Sequence, residues 1–281
     1  MGSTGVITVC HQDPKIMARF GENQGKGYYS KDGGITWTQM KDAGGSSGKG
    51  AIAKIGTTYR IFHGSEGGIS YSDDFGDTWS KSNGLVGTKQ FGVLVEFSDP
   101  NIIYSYTAKF NPYWIYDTTK KEPTLDDAQY DFAVSTDGGK TFVNQIVCPY
   151  DQNEVANRIA YLGEGQIVVA AGWYGAYISK DFGKTLKKLE NVFYCKTIGF
   201  GAPEKEDGVN TLFMYGKPSK DDIDGIYRST DSGENWVLIN SHNLYGGTGN
   251  GNFLVGDLNN FGMVYMSTVG CGIVYGKINE K

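Results

Sequence analysis

The sequence contains no long hydrophobic run. Across its 281 residues, no apolar stretch approaches the roughly 18 residues that a membrane-spanning segment needs. Residues 5–10 are apolar, but this run is too short for a signal peptide and no basic leader precedes it. We therefore expect no membrane partner.

Basic residues, and arginine in particular, are scarce. Lys and Arg total 26 against 31 Asp and Glu, which gives a formal net charge of −5. Nucleic-acid binding needs a basic footprint, so we expect no nucleic-acid partner. The arginines are dispersed and offer little for arginine-based anion recognition: Arg19, Arg60, Arg158 and Arg228.

Histidine and cysteine are also few, and neither shows metal-binding spacing. No C-x-x-C pair occurs, so we expect no metal and no cofactor, and structural roles for the histidines. The cysteines are either free core thiols or two disulfides, and a domain of this size, which does not need disulfides, favours free thiols. These residues are His11, His63 and His242, and Cys10, Cys148, Cys195 and Cys271.

Glycine, in contrast, is abundant at 41 residues, and part of it belongs to a repeated octapeptide. The pattern S-x-D-x-G-x-T-W, the Asp-box motif, occurs five times, with Asn235 in place of Thr in the fifth copy and Trp, Phe or Leu at the last position. We expect the Asp to accept hydrogen bonds from backbone N–H groups of its own turn and the Gly to close a tight hairpin with a positive φ. The five aspartates are Asp32, Asp74, Asp137, Asp181 and Asp231.

The spacing of the boxes predicts the fold. Successive aspartates are 42, 63, 44 and 50 residues apart. Periods of about 40–50 residues with short strands are typical of propeller blades, each a four-stranded sheet. We predict an all-β fold, a single β-propeller of six or seven blades formed by residues 1–281, with each box joining the third strand of a blade to the fourth. Three further strands in the tail, near residues 253–256, 263–268 and 272–276, would form a last blade without a box.

The long third repeat carries an insertion, residues 110–129, that is rich in aromatic side chains. Tyr113, Trp114 and Tyr116 lie next to Pro112, away from any strand pattern. They form either a loop folded over its own small cluster or an aromatic wall for a sugar chain, and the sequence does not decide between these.

A second aromatic candidate lies outside the boxes. Trp173 and Tyr174 stand between two glycines, where the second and third strands of the fourth repeat meet. They are candidates for stacking on a sugar ring, although packed loop residues would look the same.

The sequence selects no catalytic group. The box aspartates are expected to be structural, and the remaining acidic residues are expected to be solvent-exposed charges in loops. No Ser/His/Asp arrangement can be assembled. We therefore name no catalytic residue.

The tail carries a resemblance to a known family. The runs 239–246, 256–268 and 270–276 follow patterns of the type N-x-x-x-x-x-Y-G, G-D-x-x-x-x-G-x-V-Y and G-x-G-I-x-Y-G. They resemble the end of the xyloglucan-cleaving enzymes of glycoside hydrolase family 74, and the resemblance covers nearly the whole chain. It maps onto the second of that family's two propellers. Cys271 departs from the pattern, because the family usually has a basic residue there.

The resemblance implies an inverting glycosidase whose substrate cleft lies between two propellers, with an acid and a base flanking the bond. The family's base lies in the first propeller, and its acid lies in a segment just before the residues matched here. Neither has a counterpart in this sequence. The expected function is therefore non-catalytic binding of a β-glucan such as xyloglucan, outside the cell, after removal of a leader. The alternatives are a protein-interaction module of an extracellular plant-cell-wall-degrading assembly, with a protein of that complex as partner, and a divergent glycoside hydrolase.

Overall fold

A computed structural model of the chain describes residues 6–20, 26–43, 49–65, 67–85, 91–107, 129–150, 159–240, 253–268 and 272–278. Throughout these ranges the regular structure is β-strand, and they contain no helix long and apolar enough to cross a bilayer. The strands form six antiparallel sheets in which sequence neighbours pair.

The first two sheets each have four strands. They are β1 (Val6–Val9), β2 (Met17–Phe20), β3 (Gly27–Ser30) and β4 (Thr38–Gln39), followed by β5 (Lys49–Ile55), β6 (Thr58–Ser65), β7 (Gly68–Ser72) and β8 (Ser80–Lys81).

The third and fourth sheets repeat the pattern. They are β9 (Phe91–Val95), β10 (Ile103–Thr107), β11 (Gln129–Ser135) and β12 (Val143–Tyr150), followed by β13 (Ile159–Gly163), β14 (Gln166–Ala170), β15 (Ala176–Ser179) and β16 (Lys187–Leu189).

The fifth sheet has four strands and the sixth has three within the described residues. They are β17 (Tyr194–Gly201), β18 (Thr211–Lys217), β19 (Gly225–Ser229) and β20 (Val237–Leu238), followed by β21 (Leu254–Gly256), β22 (Val264–Ser267) and β23 (Ile273–Gly276).

The hydrophobic core lies between consecutive sheets. One cluster joins the first and second sheets through Phe20 and Ile61, and another joins the second and third through Phe62 and Ile103. In the later part of the chain, one cluster joins the fourth and fifth sheets and another joins the fifth and sixth. Four-stranded sheets that pack face to face with their sequence neighbours are β-propeller architecture. The predicted fold class is confirmed, whereas the choice between six and seven blades stays open.

The chain divides into two compact units. The first contains Met1–Lys109 and Asp131–Ile146, and the second contains Phe110–Tyr130 and Val147–Lys281. Sheets one and two lie in the first unit, and sheets four to six lie in the second. The single domain over residues 1–281 stays a prediction.

The boxes occupy the predicted connection between third and fourth strands, but every fourth strand except β12 is shorter than expected. The first, second and fifth begin only after the box aromatic and contain two residues each. The reason is local, because the Thr of the box is held by its Asp and the turn therefore extends further along the chain.

Candidate functional site

Each box aspartate is hydrogen-bonded within its own turn. Asp181 accepts hydrogen bonds from the Thr185 N–H at 2.8 Å and the Thr185 hydroxyl at 2.7 Å, and the Ser179 hydroxyl donates to it at 2.8 Å. The same Ser oxygen accepts from the Gly183 N–H at 2.8 Å. Corresponding Ser–Asp–Gly contacts recur in the other four boxes.

These contacts keep the box carboxylates ionised. In Asp32, the hydrogen bonds from the hydroxyl and then the N–H of Thr36 lower the pKa to about 2. In Asp74, burial opposes the shift, but hydrogen bonds from Thr78 and Ser72 outweigh it and lower the pKa to about 2. The pKa values of Asp137, Asp181 and Asp231 are lowered as well. A carboxylate whose pKa is this low is ionised at neutral pH, and its oxygens already accept hydrogen bonds, so it is a poor general acid.

Each box contains two consecutive residues with positive φ rather than one. The glycines have φ values of 88°, 91°, 82°, 76° and 87°, and each is preceded by another left-handed residue. That preceding position accepts side chains, since Phe75, Phe182 and Ser232 occupy it at 59°, 59° and 63°. The invariant glycine therefore has a further cause besides the turn.

In the second, third and fifth boxes that cause is contact with the preceding sheet. A Cβ on Gly139 would lie 2.3 Å from the ring of Phe62, and one on Gly76 would lie 2.7 Å from Met40. The backbone of the third box is also hydrogen-bonded to residues that follow β8: the Ser82 hydroxyl donates to the Gly139 carbonyl at 2.6 Å, and Asn83 exchanges 2.9 Å backbone hydrogen bonds with Lys140 and Phe142. The boxes thus fasten neighbouring sheets together.

Arg60 and its carboxylate partner Asp73 also fasten the second sheet to the third box. The guanidinium is 9% exposed, binds both carboxylate oxygens of Asp73 at 2.7 and 2.6 Å, and donates to the Gly138 carbonyl at 2.8 Å. Its donors are therefore directed to the protein itself, which leaves this arginine unsuited to binding an anion.

The histidines that the structure describes are packed among aromatic rings. His63 is fully buried, stacks on Phe20 at 4.2 Å, and its Nδ1 contacts the Ala43 carbonyl. Burial lowers the pKa of His63 to about 4. His11 packs against Phe97 and its pKa is lowered, again mainly by burial. His242 lies outside the described residues.

Cys10 and Cys195 are buried free thiols whose pKa values burial raises. The side chains of Cys148 and Cys271 lie outside what the structure describes. Among the described residues, no group of three or more His, Cys, Asp or Glu side chains is arranged to hold a metal ion.

Trp173 lies on a rigid loop of the second unit. The loop between β14 and β15 turns through Gly172 and Gly175, at φ values of 63° and 82°. Gly172 exchanges two 2.9 Å backbone hydrogen bonds with Cys195 of the next sheet. A Cβ on Gly175 would lie 2.2 Å from the Val192 carbonyl oxygen, so the loop is fixed against its neighbour.

The Trp173 ring rests on aromatic side chains of the following sheet. Its centroid is 4.5 Å from that of Tyr194 and 6.0 Å from that of Phe193, which meets it edge-on. Trp173 and Phe193 are partly exposed, whereas Tyr194 is 6% exposed. Tyr174 is also 6% exposed, so Trp173 presents the accessible ring of the predicted pair.

Two charged side chains, Lys217 and Asp224, are linked to these aromatic rings. Lys217 is the cross-strand partner of Tyr194, and its Nζ lies 3.9 Å from Asp224, which stands just before β19. Burial raises the pKa of Asp224, while Lys217 and Lys196 oppose the shift. We call Trp173, Phe193, Tyr194, Lys217 and Asp224 the Trp173 cluster.

The strand order fixes where the Trp173 cluster lies. Its residues lie in the β14–β15, β16–β17 and β18–β19 connections or at the strand ends next to them, whereas the boxes occupy the β15–β16 and β19–β20 connections. Alternate connections of an antiparallel sheet lie at opposite ends of its strands. The cluster and the boxes therefore lie at opposite ends of the strands in these sheets.

Sequence reasoning found one accessible member of this cluster. Trp173 stood out because it lies outside the boxes, but Phe193, Tyr194, Lys217 and Asp224 carry no motif. The sequence marks them only by position, since each lies where a strand begins or ends, at the strand ends opposite the boxes. Tyr113, Trp114 and Tyr116 lie outside the described residues and stay predictions.

Comparison with known proteins places these features in a family context. A BNR/Asp-box repeat model matches residues 28–39, the first box. A Paenibacillus sp. xyloglucanase is 28% identical over 291 aligned residues, which cover 97% of this chain and 25% of the enzyme. An oligoxyloglucan-reducing end-specific xyloglucanase of Emericella nidulans is 27% identical, over 96% of this chain and 35% of the enzyme.

The structural comparison agrees. The crystal structure of the GH74 enzyme of Niastella koreensis matches with a TM-score of 0.74 and 28% identity, covering 97% of this chain and 37% of that one. The chain resembles the xyloglucanases of glycoside hydrolase family 74. It spans about a quarter to a third of the length of the two curated relatives, and the resemblance stated from the tail motifs is confirmed.

Proposed function

We propose that the chain binds a neutral β-glucan, such as xyloglucan, through the Trp173 cluster and does not cleave it. The observation that carries the proposal is the partly exposed Trp173 ring, fixed on Tyr194 at 4.5 Å in a chain that resembles xyloglucanases. An aromatic face packs well against the apolar face of a sugar ring, and a rigid ring loses little entropy on binding.

The charges at the site fit a neutral ligand. Lys217 and Asp224 offset one another, and the net charge of the whole chain is −5. A neutral polysaccharide therefore meets neither strong attraction nor repulsion, and stacking and hydrogen bonds determine affinity.

The proposal of binding without cleavage rests on the carboxylates. The five repeated aspartates are held in their own turns, with lowered pKa values. An inverting glycosidase needs two carboxyl groups across one bond, one of them protonated. Because its ligand would be a wall polysaccharide, we also propose that the protein acts outside the cell.

The test is affinity electrophoresis in gels that contain xyloglucan, combined with an assay for reducing sugar. The wild-type chain is expected to be retarded, and Trp173→Ala is expected to weaken the retardation. Trp37→Ala, in the first box, is the matched tryptophan control and should leave it unchanged. Release of reducing sugar by the purified chain would instead indicate a glycoside hydrolase.

The last strand favours a second candidate function, a protein-interaction module. In β23, Ile273 is 68% exposed and Tyr275 is 66% exposed, whereas Tyr177 in β15 and Tyr227 in β19 are 8% and 4% exposed. Within the described residues β23 has no outer neighbour strand. An edge without charge or proline accepts an added strand readily, so the proposed partner is an extended peptide segment with alternating apolar side chains.

Hydrogen exchange tests this candidate. Backbone amides of Ile273–Gly276 should exchange more slowly when secreted proteins of a wall-degrading system are added, and Tyr275→Lys should abolish that protection. Unchanged exchange in the presence of such proteins would reject the second candidate without affecting glucan binding.

A further inference from the structure

Asp224 differs from the box aspartates in one respect. Each box carboxylate accepts several hydrogen bonds, whereas within the described part of the chain Asp224 accepts none and has only the Lys217 ammonium at 3.9 Å. Its side chain is 42% exposed. Carboxylates removed partly from water usually find donors, so the oxygens of Asp224 have unused capacity for a ligand.

A β-bulge lies in β17, the strand that pairs with the strand carrying Lys217. The pairing of β17 with β18 shifts register between Cys195 and Thr197, which leaves Lys196 as the extra residue. Bulges of this kind re-aim a side chain at the cost of regular ladder hydrogen bonds. Lys196 is only 8% exposed, and its charge acts on Asp224 together with that of Lys217.

The loop that carries Asp224 is ordered by its own contacts. The Ser219 N–H donates to Asp222 at 2.9 Å, and the Tyr227 hydroxyl donates to the Ile223 carbonyl at 2.9 Å. Asp222 is therefore occupied within the loop, which leaves Asp224 as the carboxylate that is both positioned and available.

Asp224 is linked to the Trp173 ring through two side chains, Lys217 and Tyr194. Lys217 and Tyr194 are direct cross-strand partners, so their side chains lie on one face of the sheet, and Tyr194 supports Trp173. Side chains of such partners are about 5 Å apart at Cβ. A sugar stacked on Trp173 would thus have its neighbour in the chain within reach of Asp224 and Lys217.

We propose that Asp224, paired with Lys217, accepts hydrogen bonds from hydroxyl groups of the sugar next to the one on Trp173. The carboxylate accepts hydrogen bonds from the hydroxyl groups of a neutral glucan, whereas an ionised sugar carboxylate has no proton to donate to it and is therefore bound less well. This inference rests on the proposed function, and it adds the polar group that would give the site its selectivity.

The experiment is isothermal titration of the intact chain with two probes, a cello-oligosaccharide and the same oligosaccharide oxidised to glucuronic acid at C6. Asp224→Asn should bind the neutral probe about 10-fold or more weakly, because hydrogen bonds to a charged acceptor are replaced by weaker ones to a neutral amide. The same substitution should also narrow the difference in affinity between the neutral probe and the oxidised probe. Asp221→Asn, an exposed carboxylate of the same loop, is the control and should behave as wild type.

The outcomes separate the two proposals. If wild type binds and Trp173→Ala weakens binding, but Asp224→Asn matches wild type with both probes, the role of Asp224 is rejected and glucan binding stands. If the wild-type chain binds neither probe nor xyloglucan, both fail. Thermal unfolding of each variant shows whether the fold is intact, and Asp224→Ser provides a second, smaller substitution should Asp224→Asn fold poorly.

Discussion

The side-chain amide of Asn191 donates a hydrogen bond to the carbonyl of Gly233 at 2.9 Å, and a second to the carbonyl of Glu234 at 2.6 Å. Asn191 follows the last strand of the fourth sheet, and Gly233 is the glycine of the fifth box. One asparagine therefore fastens an Asp box to the sheet before it. The second box receives the same kind of contact from the backbone, where the Asp42 N–H donates to Gly76 at 3.0 Å.

Replacing this asparagine should loosen the contact between sheets. Asn191→Ala removes both donors, and we expect it to lower the free energy of unfolding by about 1–2 kcal/mol. Urea unfolding measures the change, and the exposed neighbour Glu190→Ala is the control. Equal stability of the two variants would show that the amide contributes nothing to docking.

Gly139, the box glycine of the third box, should resist substitution more strongly than Gly33, which precedes the box glycine of the first box. Gly139→Ala combines a φ of 82° with a Cβ only 2.3 Å from Phe62, whereas a Cβ on Gly33, at a φ of 76°, meets nothing within 4 Å. We expect Gly33→Ala to cost about 1 kcal/mol from backbone strain alone and Gly139→Ala to cost at least about 2 kcal/mol more. Thermal unfolding of the pair checks this, and similar losses would contradict the packing explanation.

Those two positions also show how far sequence reasoning reached. The repeated S-x-D-x-G-x-T-W pattern was enough to predict the hairpins, their place between third and fourth strands and the propeller fold, because these follow from local hydrogen bonds and a regular period. It was not enough to explain why one glycine is invariant while Phe75 and Ser232 stand at the position before. That distinction comes from the neighbouring sheet, which a local pattern does not contain.

The Trp173 cluster was harder to predict for a similar reason. Trp173 could be named from its place outside the boxes, but Tyr194 and Lys217 become neighbours only through strand pairing, and Asp224 joins them across a loop. The bulge at Lys196 has no sequence signature. Residues that come together only in the folded sheet leave no motif to find.

Buried His63 should make the fold sensitive to mild acid. Its pKa is about 4 in the folded chain against an ordinary 6.5, mainly because of burial, although the Ala43 carbonyl and Asp42 oppose the shift. A lowered folded pKa means that the unfolded chain takes up the proton first. The stability is therefore complete above pH 6.5 and decreases as the pH falls toward 4, by up to about 3 kcal/mol.

Urea unfolding at a series of pH values between 7 and 4 tests this expectation. His63→Asn keeps a hydrogen-bond donor but does not titrate, so its stability should change less across this range than that of wild type. The box aspartates also lose stabilisation as the pH approaches 3.8, the ordinary value from which their pKa is lowered, but this loss is common to both proteins and cancels when their curves are compared. Parallel curves for the two proteins would rule out His63 as the source.

The dissociation constant for a xyloglucan oligosaccharide, measured by titration calorimetry on wild type, Trp173→Ala and Trp37→Ala, tests the central claim most directly. Wild type and Trp37→Ala should bind with equal affinity, and Trp173→Ala should bind about 10-fold or more weakly, a loss of about 1.4 kcal/mol. Equal affinity of all three proteins, or no binding by folded wild type, would contradict the assignment of the Trp173 cluster as a glucan-binding site.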